Sequence, residues 1–227
     1  MNTRVLRVSP RRPDPEAVET AAAALREGLL VVFPTETVYG LAARADVPAA
    51  VEALRRAKGR DAEKPLTVHL PRALAPPASR WFRFGTLPEP ALRLVRRRLP
   101  GPLTLVLPVE GGGFTGFRVP DDPVAEAVLA EAGVPVVATS VNPSGEEPAV
   151  TGSDAAIFSS GKAAVVLDAG PTRLRRPSTV ARVGPDGRVE VLREGAIPSA
   201  DVLLDAARQV LLVCTGNLCR SPLAAAL

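Results

Sequence analysis

Two apolar runs that each open into a polar turn set the frame of the chain. Residues 29–33, LLVVF, are apolar throughout, which predicts a central strand covered on both faces. They run into Pro34-Thr35-Glu36-Thr37-Val38-Tyr39-Gly40. Residues 134–138, VPVVA, repeat the arrangement and end in Thr139-Ser140-Val141-Asn142-Pro143-Ser144-Gly145. Ligand groups in α/β proteins gather where a core strand ends in a turn, so both turns are expected to face one shared cleft.

The rest of the pattern mixes helix and strand. Residues 13–26 read as a helix: Asp14 can cap it, Pro15 suits its first turn, and Ala17, Val18, Ala21, Ala22 and Leu25 form an apolar stripe that Gly28 stops. Residues 48–57 place Ala50, Val51, Leu54 and Ala57 on one helical face, with Gly59 as terminator. Residues 66–70 alternate, Leu66, Val68 and Leu70 pointing one way and Thr67 and His69 the other. Residues 91–99 predict a helix with Arg93, Arg96, Arg97 and Arg98 on a solvated side. After Pro100-Gly101-Pro102 comes an apolar strand over 103–109, then a flexible Gly111-Gly112-Gly113 loop. Residues 117–120, containing Arg118, are short and extended, and 123–132 predict a helix ended by Gly133. Further strands are expected at 4–8, 163–168, 179–183 and 189–193, the last two joined by a Pro185-Asp186-Gly187 hairpin turn. Residues 73–90, rich in Pro and aromatics, give no assignment. The elements do not alternate as strict βαβ units. The expected class is α/β of the α+β type, one large twisted mixed sheet with packed helices.

Composition narrows the chemistry. The chain has 227 residues, of which 46% are apolar, enough for a real core. No apolar run reaches the ~18 residues of a membrane helix, and the N-terminus lacks a signal-peptide core, so a cytoplasmic protein is expected. A net charge of +4 suits a polyanionic ligand but is too small by itself to argue for nucleic acid. Lysine is scarce: Lys58, Lys64 and Lys162 are the only three, and two of them flank Arg60. Both cysteines, Cys214 and Cys219, fall near the C-terminus, so residues 1–213 have no disulfide, thiol nucleophile or zinc-type cluster.

Lys58, Arg60 and Lys64 on a Gly-hinged loop suit triphosphate oxygens, because charge-assisted hydrogen bonds are the strong ones. Ser140, Asn142, Thr35, Thr37, Tyr39 and Ser178 offer hydroxyl and amide groups, and Arg118 and Arg193 add cations. Gly111-Gly112-Gly113 leads into Phe114 and makes no Walker motif. Plainer readings stand beside these. Ser140 and Asn142 also suit turn formation, Lys58 and Arg60 a solvated helix end, and His69 a structural role.

Seven blocks resemble, in order, the YrdC-like family of threonylcarbamoyl-adenylate synthases. They are FPTETVYGLA, KGRDAEKPLTVHL, PGPLTLVLP, FRVPD, ATSVNPSGE, PSTVARV and VLREGAIP, over residues 14–198. The resemblance implies joining of L-threonine, bicarbonate and ATP into threonylcarbamoyl-adenylate and pyrophosphate. That product would go to tRNA threonylcarbamoyl transferase proteins. By resemblance, Lys58, Arg60, Ser140 and Asn142 form the catalytic Lys-x-Arg/Ser-x-Asn nucleotide tetrad, with Arg193 and Lys64 also on ATP. Thr37, His69, Arg118 and Ser178 would line the threonine pocket, beside Thr35, Tyr39 and Thr139. Lys64, Val141 and Pro177 depart from the commoner Asn, Ala and Glu or Gly. No carboxylate cluster suggests a metal cage, so Mg²⁺ is expected to arrive with ATP. No general base is evident. Two other readings remain: an RNA-binding module without catalysis, with weak tRNA contact, and an enzyme that activates carbamoyl phosphate.

Residues 210–222, VLLVCTGNLCRSP, resemble the phosphate loop of low-molecular-weight protein-tyrosine phosphatases, with Cys214 as nucleophile and Arg220 on the phosphate. The expected division is therefore 1–198 for the synthase domain and 199–227 for a linker plus an incomplete phosphatase start, without useful phosphatase activity.

Overall fold

The structure is a computed structural model that describes residues 2–59, 66–80, 86–143 and 145–208. Among the described residues, ten strands are present: β1 (Arg4–Arg7), β2 (Val31–Phe33), β3 (Gly40–Arg44), β4 (Thr67–His69), β5 (Leu103–Pro108), β6 (Phe114–Arg118), β7 (Val136–Ser140), β8 (Val165–Asp168), β9 (Thr179–Val183) and β10 (Val189–Arg193). They form one mixed sheet in the order β1-β8-β2-β3-β7-β4-β6-β5-β9-β10. The β1/β8, β2/β8, β4/β6 and β5/β9 pairs are parallel, and the others are antiparallel.

The helices are α1 (Pro15–Arg26), α2 (Pro48–Lys58), α3 (Glu89–Arg98), α4 (Pro123–Ala132), α5 (Gly152–Ser159) and α6 (Ser199–Ala206). Their ends follow the capping signals. Asp14 Oδ1 accepts from the amides of Glu16 and Ala17, and Asp122 Oδ1 from those of Val124 and Ala125. Gly59 ends α2 at φ 62°, a left-handed geometry that would strain a side chain. None of these helices is long and apolar enough to cross a membrane.

Strand alternation divides the two faces of the sheet and places the site. Val32, Leu41, Val68, Phe117, Leu105, Val137 and Ala181 point into one core, which also takes buried residues of α2, α3, α5 and α6. Val31, Phe33, Ala42 and Val136 point the other way, into a second core with α1 and α4. The helical cover on that second side stops partway along the sheet. Beyond it, Thr67, His69, Gly116, Arg118, Thr104, Val106, Val180 and Arg182 line an open cleft instead. β2 is covered on both faces, as its unbroken apolar run implies.

Three elements depart from the sequence reading. β3 follows the polar turn directly. Gly40 pairs with Phe33 on one side and Ser140 on the other, so the hairpin closes where only a turn was expected. The apolar residues of α5, Ala155 to Phe158, are consecutive rather than helically spaced and so give no one-sided stripe. Residues 198–209, expected as a linker, contain α6, whose Val202 and Ala206 join the main core.

α6 also changes the reading of the arginine-rich helix. Arg93 Nε donates to Ala206 O at 2.7 Å, and Arg97 and Arg98 both pair with Asp205. Three of the arginines expected to be solvated thus hold the C-terminal end of α6, where carbonyls and the helix dipole favour cations.

Candidate active site

The cleft has a volume of about 570 Å³. One wall is the end of α2 against the end of β7. Lys58, only 4% exposed, donates from Nζ to Ser140 O at 2.7 Å, to Ser140 Oγ at 3.2 Å and to Asn142 Oδ1. Ser140 Oγ donates to the same Asn142 oxygen at 2.7 Å. Asn142 Nδ2 donates to Pro143 O and Glu146 O, which ties the strand end to the loop after it. The left-handed turn at Gly59 lets α2 stop with Lys58 facing this wall.

The second group lies across the floor. His69 and Arg118 are register partners on the parallel strands β4 and β6, so both side chains point to the same face. Arg118 Nη2 donates to Thr37 Oγ1 at 2.6 Å and more weakly to Thr35 Oγ1 at 3.4 Å. Thr35 Oγ1 donates to Val38 O at 2.7 Å, so the 2.8 Å contact between the two threonines runs from Thr37 to Thr35. The turn therefore presents Thr37 Oγ1 as an acceptor fixed toward the guanidinium. His69 Nδ1 lies 3.1 Å from Thr67 O; a carbonyl only accepts, so Nδ1 carries the proton and Nε2 keeps its lone pair. Burial, and then the charge of Arg118, push the His69 pKa down to about 3, so the ring is neutral.

The third contribution comes from β9 and β10. Ser178 Oγ is 2.9 Å from Thr104 Oγ1, and Arg193 Nη2 donates to Ser178 O at 2.9 Å. A register shift between Val191 and Arg193 lies beside Arg193, which lines the cleft. Pro177 leaves Ser178 in place at the cleft wall.

Among the residues singled out from sequence, Thr35, Tyr39, Lys58, His69, Arg118, Thr139, Ser140, Asn142, Ser178 and Arg193 all line this one cleft. Thr37 does not: it is fully buried behind Arg118. Tyr39 touches the cleft, but its hydroxyl donates to Gly170 O at 2.7 Å and accepts from the Ala169 amide, a structural tie. Burial pushes that phenol above its ordinary pKa. Arg60, Lys64, Cys214 and Arg220 lie outside the described residues. Sequence reading missed Thr104, which alternates with Leu103 and Leu105 as Thr67 alternates with Leu66 and Val68. It also missed Glu36, a buried carboxylate 3.1 Å from Arg118, which has no sequence signal beyond its place in the turn.

A family model named Sua5/YciO/YrdC, described as telomere recombination, matches residues 23–195, about three quarters of the chain. The chain belongs to the Sua5/YciO/YrdC family. It is 37% identical over 199 residues to the threonylcarbamoyl-AMP synthase of Bacillus subtilis, covering 83% of this chain and 56% of that protein. It is 36% identical over 194 residues to the Pyrococcus abyssi threonylcarbamoyl-AMP synthase, again covering 56% of the relative. The chain thus spans little more than half the length of these two proteins. Among solved structures, P. abyssi Sua5 complexed with L-threonine superposes with a TM-score of 0.80 at 32% identity, covering 89% of this chain and 60% of that one. Escherichia coli YciO shares the fold, with a TM-score of 0.74 at 22% identity.

Proposed function

We propose that this chain makes threonylcarbamoyl-AMP from L-threonine, bicarbonate and ATP, releasing pyrophosphate. The observation that carries the reading is the pairing, in one cleft, of a Lys58–Ser140–Asn142 wall with an Arg118–His69 floor. The first suits phosphate oxygens and the second a small amino acid. The relatives named threonylcarbamoyl-AMP synthase, and the relative with L-threonine bound, support it.

The chemistry needs mainly positioning and charge neutralisation. The threonine amine attacks the bicarbonate carbon, forming a C–N bond as water leaves. The resulting N-carboxylate attacks the α-phosphorus of ATP in line, and the bond to pyrophosphate breaks. Arg118 holds the threonine carboxylate. His69 Nε2 accepts a hydrogen bond from the amino acid, but with its pKa near 3 it is too weak a base to keep the amine proton at neutral pH. Phosphate oxygens compete with Ser140 and Asn142 for the Lys58 N–H groups, while Arg193, Arg60 and Lys64 add charge. Mg²⁺ carried on ATP would offset part of the phosphate charge. Among the described residues, no group of three or more His, Cys, Asp or Glu side chains is placed to hold a metal ion.

The product is a mixed anhydride whose use is transfer to tRNA, so the partners are tRNA threonylcarbamoyl transferase proteins in the cytoplasm. As a separate reading from sequence alone, residues 210–222 resemble the phosphate loop of low-molecular-weight phosphatases, as an incomplete start without useful phosphatase activity. Robust hydrolysis of p-nitrophenyl phosphate by this chain, lost in Cys214→Ser, would count against the absence of useful phosphatase activity.

The test of the main reading is pyrophosphate release measured with each substrate omitted in turn. Release that needs ATP, threonine and bicarbonate together supports the synthase. Release that ignores threonine but requires carbamoyl phosphate, or none at all from folded protein, overturns it.

A further inference from the structure

Among the described residues, four buried side-chain atoms have no hydrogen-bond partner, and three of them belong to one spot: Oε1 and Oε2 of Glu36 and Nε of Arg118. Buried carboxylates ordinarily fill their lone pairs. Glu36 is 1% exposed and fills none. Its Oε1 is 3.1 Å from Arg118 Nη2, close enough for ion pairing but off the hydrogen-bond line. Glu36 therefore supplies Arg118 with charge rather than with bonding geometry. It does not line the cleft, whereas Arg118 does, so any effect on a ligand passes through Arg118.

A charge count gives that effect a sign. Arg118 and Glu36 cancel as a pair, and His69 is neutral, so these three groups add no net charge to the amino-acid end of the cleft. A zwitterion entering it stays balanced. A simple carboxylate of the same shape brings one negative charge into the field of Glu36, and like charges a few ångströms apart in a screened interior repel substantially. Lys58 and Arg193 favour the anion, but they are the same in wild type and in Glu36→Gln and so drop out of the change in preference that the substitution produces.

Resting on the threonine reading above, we propose that Glu36 is a specificity-determining residue, which neutralises Arg118 and so makes the cleft select a zwitterionic amino acid over a monoanionic acid of equal shape.

The test is calorimetric binding of L-threonine and of 2,3-dihydroxybutanoate, in which a hydroxyl replaces the ammonium, to wild type and to Glu36→Gln. Wild type should favour threonine at least tenfold. Glu36→Gln should shrink that ratio at least tenfold, with the hydroxy acid binding more tightly than it does to wild type. A melting curve establishes that the variant is folded, and a purely structural Glu36 would move both affinities together. An unchanged ratio in folded Glu36→Gln overturns this inference alone. Should the variant not fold, Glu36→Met, which fills the same volume without a charge, replaces it under the same criteria, and equal wild-type affinity for the two ligands overturns the inference in either case. Wild type that binds neither ligand overturns the threonine reading and this inference with it.

Discussion

Thr37→Val tests whether the turn after β2 acts by aiming Arg118. Valine keeps the shape of threonine and removes only the hydroxyl. That hydroxyl accepts the 2.6 Å bond from Arg118 Nη2 and donates to Thr35 Oγ1. The backbone contact from Thr172 Oγ1 to Thr37 O is untouched. Without Thr37 Oγ1, Nη2 keeps the 3.4 Å contact to Thr35 and the misaligned approach to Glu36. A hydrogen bond to a charged group contributes ~1.5–3 kcal/mol, equivalent to about 10- to 100-fold in affinity. If the guanidinium loses its aim, that loss should appear in the KM and Kd for L-threonine, with the KM for ATP changed less than threefold. The assay is threonine titration of pyrophosphate release alongside calorimetry. A double-mutant cycle with Arg118→Met should be strongly non-additive, because Thr37 acts through Arg118. Threonine affinity within twofold of wild type in a folded Thr37→Val would refute the reasoning.

Two further predictions concern pH and packing. The His69 pKa lies near 3 in the folded chain against 6.5 ordinarily, so the unfolded chain takes up a proton that the fold refuses, and stability drains away as pH falls from 6.5 toward 3. The slope approaches ~1.4 kcal/mol per pH unit. Asp122, raised to about 6 by burial, works in the opposite sense between 6 and 3.8 and masks part of it. His69→Asn should flatten the acid limb of denaturant-measured stability relative to wild type, and parallel curves would contradict the assignment. At Gly195, a Cβ would clash with Pro177 O and stand 2.6 Å from Ser178 O. Gly195→Ala should lower stability by at least ~1–3 kcal/mol and weaken ATP use by shifting Ser178 and Arg193. An unchanged melting point and ATP KM would show that the loop yields freely.

Much of this was legible in the sequence because strand alternation carries it. Thr67 and His69 stand out among Leu66, Val68 and Leu70, and the structure puts both on the cleft floor. The apolar run at β2 announces a strand packed on both faces. What stayed hidden depends on long-range pairing. β3 has no alternation because both its faces are buried. α6 depends on arginines a hundred residues away for its place. Glu36 reads as one more polar turn residue until the register of β4 and β6 brings Arg118 beside it. Thr37 reads as a pocket residue, and the structure buries it behind Arg118, because the turn folds its hydroxyl toward the guanidinium.

The most direct measurement is mass spectrometry of the adenylate formed from ATP, L-threonine and ¹³C-bicarbonate. Wild type should yield threonylcarbamoyl-AMP about one mass unit heavier than with ordinary bicarbonate, and folded Lys58→Ala should lose at least ~100-fold of it, as removal of a charge near transferring phosphates implies. Absence of the labelled adduct from folded wild type, or equal yield from Lys58→Ala, would contradict the account.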